Sequence, residues 1–459
     1  MRKDREFLGR SKGGAKPPGS LMVPGRVIIN IMIISHAQAS PLTKPRPWIY
    51  TPRDFRPEDY PGPIAKHPEA ARWLLNCIYF KRLFRNYADD EFVNLHSRLL
   101  SVVIGKKGWV KPLREQMEEA RLIDCDHTWV LDHKSLGYRV GSVLQGATWC
   151  RYEPKGKCFA NRVRKFKDHI RKPSGLKLPV HAHLRSWAEK VELLEELPVL
   201  SFGKEKKAEL AAAQVSLLRE GLIHCSVSDY GRFHSNYSGL VKELRPFLRA
   251  NGECLHEIDI VNSQPFFLAM LLLETLLTGN CVPKISLLFP PKGEEEKKLP
   301  YVPPFGGQMF EKKTPPDLQS FLGHASSGTF YETFQQACEL TRDEIKPKVF
   351  QVLYGPKHVM ENSLLTRAFM EIYPSVFEMT LELKQQKGHK WVVQELQRRE
   401  SRLVINGVCD TLRRDHPDVP VISIHDSVMT TQQHLGLVRR LLEDQFSQFP
   451  LRPLLRIKG

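Results

Sequence analysis

Two aspartates and one helical stripe carry most of the chemistry this chain can be expected to perform. Asp259 lies near the end of the run Leu255-His256-Glu257-Ile258-Asp259-Ile260-Val261-Asn262. Glu257 and Asp259 fall on one side of that run, and Ile258 and Ile260 on the other, the period-two pattern of a half-buried strand. At Asn262-Ser263 the pattern changes. Ser263 can cap a helix, Pro265 suits its first turn, and Phe266 to Leu273 continue it as a buried helix. A carboxylate is thereby aimed off a core strand beside a helix start. Alone, it reads more readily as a capping aspartate at a strand edge. The second aspartate, Asp426, lies in Val421-Ile422-Ser423-Ile424-His425-Asp426-Ser427-Val428-Met429-Thr430. Two short β-rich runs flank a His-Asp corner, which predicts a hairpin with its carboxylate at the turn. The plain alternative is an ordinary turn, since aspartate favours turns.

Arg342, Lys346, Phe350 and Tyr354 recur every fourth residue, ahead of Gly355. On a helix that spacing sets all four along one slowly drifting stripe. Two cations followed by two aromatics suit a triphosphate with its sugar and base laid along the helix. An amphipathic helix ending at a glycine is the plain alternative.

Taken in chain order, the segments around Asp259, Arg342 to Gly355 and Asp426 resemble motifs A, B and C of family A DNA polymerases, the bacterial polymerase I type, and of their relatives the single-subunit RNA polymerases. The Arg-x3-Lys-x3-Phe-x3-Tyr-Gly pattern is the specific part; an aspartate like Asp259 is weak by itself. Asp229-Tyr230-Gly231-Arg232-Phe233-His234-Ser235 looks like the family's Thr-Gly-Arg segment with Tyr230 in place of threonine, and Glu371-Ile372-Tyr373-Pro374-Ser375-Val376 also resembles the family. The resemblance runs from about Ser226 onward.

It implies nucleotidyl transfer with Asp259 and Asp426 as catalytic ligands of two Mg²⁺ ions (Mn²⁺ also admissible), and the carbonyl of Ile260 as a further ligand. It assigns Arg342 and Lys346 to the β- and γ-phosphates, with Lys346 protonating the leaving pyrophosphate. Phe350 would pack on the incoming sugar and base. Tyr354 would stack near the templating base, with Gly355 giving it room. His425 would sit near the primer end, and Arg232 in the minor groove of the primer–template. The implied partners are a DNA primer–template and deoxynucleoside triphosphates. Three residues depart from the pattern. Pro347 follows Lys346 and costs a helix interior about 3 kcal/mol, so the helix is expected to begin near Ile345 or to kink, with Arg342 off the stripe. Gln264 falls where the DNA polymerases have a sugar-screening glutamate. Ser427 replaces the glutamate after motif C, as in the RNA polymerases, whereas Phe350 is the DNA-polymerase choice.

The elements that must position these residues follow from the rest of the chain. Its 459 residues are enough for two to four compact units, and 41% hydrophobic content supports real cores. A formal net charge of +17, with basic segments spread along the chain, favours a polyanionic partner. Nine scattered cysteines without a CxxC argue against a disulfide framework and a zinc site, and for a reducing compartment; the polymerase resemblance implies a cytoplasmic, nucleoid-associated protein. No stretch is long enough to span a bilayer, so no membrane partner is expected. Arg26 to Ile34, followed by Ala37-Gln38-Ala39, mimics a signal peptide but is broken by Asn30, and reads as an edge strand or a spurious leader. The basic, acid-poor start leaves an organellar address open.

The expected fold class is α+β: a right-hand polymerase palm and fingers with a small helical thumb, preceded by a winged-helix-like module. Residues 1–61 read as a basic, largely disordered segment. Residues 62–156 give helices followed by a hairpin whose loop carries His133-Lys134, a winged-helix pattern that either enters a DNA groove or packs against protein. Residues 157–225 read as the thumb, with the basic run Asn161 to Lys172 as a phosphate-tracking or merely solvated face. Residues 226–459 are palm and fingers, with a proline-rich insertion at 279–316. A long amphipathic helix from Trp391 to Arg414 carries Gln397, Glu400, Ser401 and Asn406. No proofreading exonuclease can be placed. The function expected is DNA-dependent DNA synthesis, in replication of a mobile element, phage or plasmid. The rivals are an RNA polymerase or primer-making enzyme, and an inactive DNA-binding replication initiator. The joint presence of Asp259, Lys346 and Asp426 speaks against the last.

Overall fold

The computed structural model describes residues 20–23, 26–29, 46–105, 107–130, 133–278, 314–356, 363–449 and 451–458. Helices and strands are mixed along the chain, so the fold class is α+β. The chain divides into two compact units: one takes Met1–Ala37, Ile49–Tyr152 and Leu194–Ser216, the other Gln38–Trp48, Glu153–Leu193 and Leu217–Gly459.

The second unit is built on a six-stranded sheet. Its strands are β1 (Glu192–Leu193), β2 (Leu248–Ala250), β3 (Glu253–Ile260), β4 (Ile422–Ile424), β5 (Ser427–Thr431) and β6 (Leu455–Lys458). The order is β4-β5-β3-β2-β1, with β6 also paired to β3. Every neighbour of β3 runs antiparallel to it. Leu255 to Asp259 oppose Thr431 to Ser427 on one side, and Glu257 to Ile260 oppose Lys458 to Leu455 on the other. Ile258 and Ile260 are buried on one face of β3, which anchors the register; a one-residue slip would bury Asp259 in their place. Ile424 opposes Ser427, so His425 and Asp426 alone make the hairpin turn, as the sequence predicts.

After β3 comes helix α1 (Ser263–Thr278), whose Phe266 to Leu273 are buried throughout. Ser263 is its first residue and not its cap. Asn262, with φ 56°, makes the bend, and its carbonyl accepts from the Phe266 N–H at 2.9 Å. Asparagine tolerates the left-handed region better than most residues, so the turn can be this sharp.

Helix α2 (Arg342–Tyr354) corrects the expectation about Pro347. It starts at Arg342, three residues before Ile345. A capping box fixes that start: the backbone N–H and hydroxyl of Thr341 both donate to Glu344, at 2.9 and 2.6 Å. Pro347 sits inside the helix and forfeits one backbone bond, while Ile345, Val349, Val352 and Leu353 bury the opposite face. Helix α3 (His389–Ser401) runs into a π-helical stretch, Arg402–Cys409, and then Asp410–Asp415. The expected long helix is therefore present but interrupted, and such wider turns shift which side chains face a site.

In the first unit, the strand Arg26–Ile29 lies between Ser20–Val23 and Leu200–Phe202, so it is a central strand and not the expected edge; Asn30 to Ile34 lie outside the described residues. Part of the segment expected to be largely disordered is ordered. Ile49–Pro52 pairs antiparallel with Trp149–Tyr152, and Ile49 and Phe55 are buried: these apolar side chains outweigh the local proline content. Helices Pro68–Phe84, Ser97–Ile104 and Val110–Glu119 pack with a three-stranded sheet in which Val93–Asn94 and Ile123–Cys125 flank Gly137–Val140. Of the segment 157–225, helices Lys157–Arg171 and Pro179–Lys190 belong to the second unit, while Glu205–Arg219 begins in the first. Most of the proline-rich stretch expected at 279–316 lies outside the described residues.

Candidate active site

The sheet register brings the two aspartates together. Asp259 opposes Ser427, and the next residue, Ile260, donates its N–H to the carbonyl of Asp426 at 3.2 Å. Burial pushes the Asp426 carboxyl above the usual range, and the charge of Asp259 pushes it further; the Ser263 hydroxyl, which donates to it at 2.9 Å, and the charge of Lys346 pull it back. A buried carboxylate lifted by a second carboxylate is a site short of positive charge. Both donors are hard oxygens, so divalent Mg²⁺ or Mn²⁺ suits the pair. Asp259 is held by Lys458, whose Nζ lies 2.9 Å from Oδ2.

Lys346 and Tyr354 of the α2 stripe lie within electrostatic reach of Asp426. Lys346 acts on the Asp426 charge, whereas Lys348 is felt by Glu344 on the same helix. Phe350 and Tyr354 are stacked, ring centres 5.2 Å apart and planes 13° from parallel. Arg342 lies over the Tyr331 ring at 5.1 Å and pairs with Glu332 at 3.2 Å. The C-terminal end of α2 is pinned by buried Lys384, which donates to the carbonyls of Val352 at 2.6 Å and Gly355 at 3.1 Å. Burial lowers that ammonium to about 8. Gly355 itself has φ −67°, so no left-handed turn requires a glycine there.

Sequence reasoning missed the residue at the centre of the site. Glu400, only 1% exposed, is bonded by three side chains. Arg232 reaches its Oε1 through Nη2 at 2.6 Å and Nε at 2.9 Å. Its Oε2 accepts from Gln264 Nε2 and, at 3.3 Å, from Ser263 Oγ. Gln264 in turn accepts from the Tyr354 hydroxyl at 2.6 Å. One buried acid thus ties α1, α2 and the Gly-Arg segment together. The signal was present as a carboxylate on a helix of otherwise ordinary amphipathic pattern, but nothing in that pattern marks it as inward. Arg232 is accordingly turned onto Glu400. His425, with φ 53°, packs edge-on to His234 at 5.6 Å, and its Nδ1 is buried without a hydrogen-bond partner among the described residues. Burial, with the charges of Arg232, His234 and Arg245, lowers it to about 4, so it is neutral at pH 7.

Burial lifts Glu400 to about 7, with Asp426 adding to the rise and Arg232 opposing it. An acid raised on folding favours the protonated native state. Its contribution is complete below the unfolded value near 4.5 and is lost as pH climbs to about 7. Glu400→Gln should remove that loss, worth up to about 3 kcal/mol. Thermal midpoints at pH 5 and pH 8 check this: the variant should fall less than wild type between the two.

A second convergence lies in the first unit, where Glu118, Cys125 and His127 bring ligand atoms within 4.8 Å of one another. Glu118 is already bonded to His127 at 2.9 Å and paired with Arg114 at 3.5 Å. That cation makes it a poor divalent site.

No family model and no curated protein matches the sequence. Among solved structures, the chain is similar to the POL domain of Pol1 from M. smegmatis, in complex with DNA primer-template and dNTP, at 12% identity and a TM-score of 0.26, over 86% of this chain and 69% of that one. So loose a superposition carries no argument, and the functional reading rests on the residues above. No helix among the described residues is long and apolar enough to cross a membrane.

Proposed function

We propose that the chain is a template-directed nucleotidyltransferase that extends a DNA primer with deoxynucleoside triphosphates. The observation that carries this reading is the convergence of Asp259, near the end of β3, and Asp426, in the β4–β5 turn beside it, with Lys346 of the α2 stripe acting on Asp426. Two Mg²⁺ ions held by Asp259, Asp426 and the carbonyl of Ile260 would supply the charge that activates the primer hydroxyl and stabilises the leaving pyrophosphate.

The protein's own groups divide the remaining work. Lys346 takes the β- and γ-phosphates and donates a proton to the departing pyrophosphate. Arg342 joins it by exchanging Glu332 for phosphate. The Phe350–Tyr354 stack is a flat apolar wall for sugar and base. Gln264, tied to Tyr354 and Glu400, is fixed beside the sugar. With Phe350, this favours deoxynucleotides. His425 meets the primer end as a neutral ring. Arg232 reaches the minor groove from its place on Glu400. The helix Lys157–Arg171, beside a cleft lined by Arg46, Lys155, Lys157 and Arg164, would follow the duplex backbone in the manner of a thumb. Synthesis without proofreading, in replication of a mobile element, phage or plasmid, completes the reading.

The first unit supports a winged-helix assignment through its helix, strand, helix, helix, strand, strand order. Its third helix carries Glu115, Glu118 and Glu119 and spends Lys111 and Arg114 on internal pairs, a charge balance that suits packing or a protein partner better than a DNA groove.

Purified protein with Mg²⁺, a labelled primer–template and either dNTPs or rNTPs tests the proposal. Template-dependent extension with dNTPs is expected. Extension with rNTPs alone would make it a primer-making or RNA polymerase. DNA binding without any extension would leave the initiator reading.

A further inference from the structure

The carboxylates of Glu257 and Asp259 share a face of β3, and β6 lays cations against them. Lys458 stands opposite Glu257 in the register and reaches both, at 3.2 Å from Glu257 Oε1 and 2.9 Å from Asp259 Oδ2. The two acids are not equally dependent on it. Glu257 is also held by Arg245 at 2.8 Å. Asp259 makes no other ion pair among the described residues. Arg456, directly opposite Asp259 in the register, forms no ion pair with it. The charge of the aspartate read above as a metal ligand is therefore balanced by one ammonium. Lys458 is anchored at its backbone by the strand, yet its side chain is 45% exposed, so it has room to swing. When it leaves Asp259 it keeps Glu257, which it already touches.

We propose that Lys458 is a built-in counter-cation that occupies Asp259 until a divalent ion displaces it, and so sets how tightly this site takes metal. The inference rests on the proposed metal-binding role of Asp259. It makes Lys458 a positioning residue, acting on the metal site through a carboxylate and not on substrate. The exchange involves no bond other than ionic contacts: the ammonium moves from a shared position to Glu257 alone, and the freed oxygen accepts the metal. The arrangement keeps two neighbouring carboxylates, Asp259 and Asp426, from repelling each other unscreened before metal arrives. It also makes metal entry competitive.

The test is Mn²⁺ titration of the full chain followed by electron paramagnetic resonance, without nucleotide or DNA. Lys458→Met should tighten Mn²⁺ binding about tenfold, the scale of one partly screened charge at contact distance. Lys458→Arg should stay near the wild-type affinity, because it restores the competing charge. Arg456→Met should shift the affinity much less. Asp259→Asn in the Lys458→Met background should abolish the gain. Unchanged or weaker Mn²⁺ binding in Lys458→Met, with wild-type binding still sensitive to Asp259→Asn, overturns the counter-cation role and leaves the metal site standing. Mn²⁺ binding indifferent to Asp259→Asn in every background overturns both the metal site and this inference.

Discussion

Asp259→Asn and Asp426→Asn should each bring primer extension below about 1% of wild type while DNA binding stays near normal. Loss of a group that merely orients a metal ligand costs about 10–100-fold, and loss of the ligand itself exceeds that. The two variants should differ in stability. Asp426 is buried, and burial and the charge of Asp259 raise its carboxyl above its usual range, so ionising it costs the fold. Removing that charge should leave the protein at least as stable near pH 7, with Ser263 still able to bond the amide. Asp259→Asn removes the partner of Lys458 and should give no such gain. Extension assays, filter binding and thermal midpoints on the same preparations check all three. An Asp426→Asn protein retaining more than a few per cent of wild-type extension in Mg²⁺ would sink the metal assignment; one that is dead and also unfolded would not support it.

What could be read from the sequence was set by period and by turn chemistry. The alternation of Glu257 to Ile260 and the β-rich runs around His425-Asp426 are local signals, and both elements formed where those signals place them. The spacing of Arg342, Lys346, Phe350 and Tyr354 survives as a stripe because helix periodicity needs only a helix, and the Thr341–Glu344 box secures its start. The expected defect at Pro347 overweighted one lost backbone bond against four buried side chains on the far face. What was not legible is long-range. Glu400 joins Arg232, 168 residues away, and Gln264, 136 residues away. Lys458 meets Asp259 only because β6 pairs with β3. A single carboxylate on a helix and a lysine in a four-residue strand carry no period and no motif, so nothing local announces them. Lys384 is similar: an unremarkable lysine on a helix becomes the buried cap of α2 only through tertiary packing. Three of the missed groups are thus supports for residues that were found.

Lys346→Ala should lower kcat about 10²–10³-fold, by analogy with loss of one preorganised donor to a developing anion, and should barely change DNA affinity. A contact that strengthens as pyrophosphate departs acts on the transition state and appears in kcat. The register of α2 makes the prediction specific. The helix begins at Arg342 despite Pro347, so Lys346 stays on the line of Phe350 and Tyr354, and its charge is felt at Asp426. Lys348 lies two positions on, about 200° around the helix, and its charge is felt by Glu344 at the first turn. Lys348→Ala should therefore change kcat by no more than about twofold, as surface charges away from a site generally do. Gln264 and Tyr354 give an internal control. Their hydrogen bond, at 2.6 Å, fixes the far end of the same stripe, so Tyr354→Phe should alter discrimination between dNTP and rNTP more than it alters the chemical step. Single-turnover rates on Lys346→Ala and Lys348→Ala decide the register. A larger loss at Lys348 than at Lys346 would mean that Pro347 turns the helix in solution and that the phosphates are met from the other face.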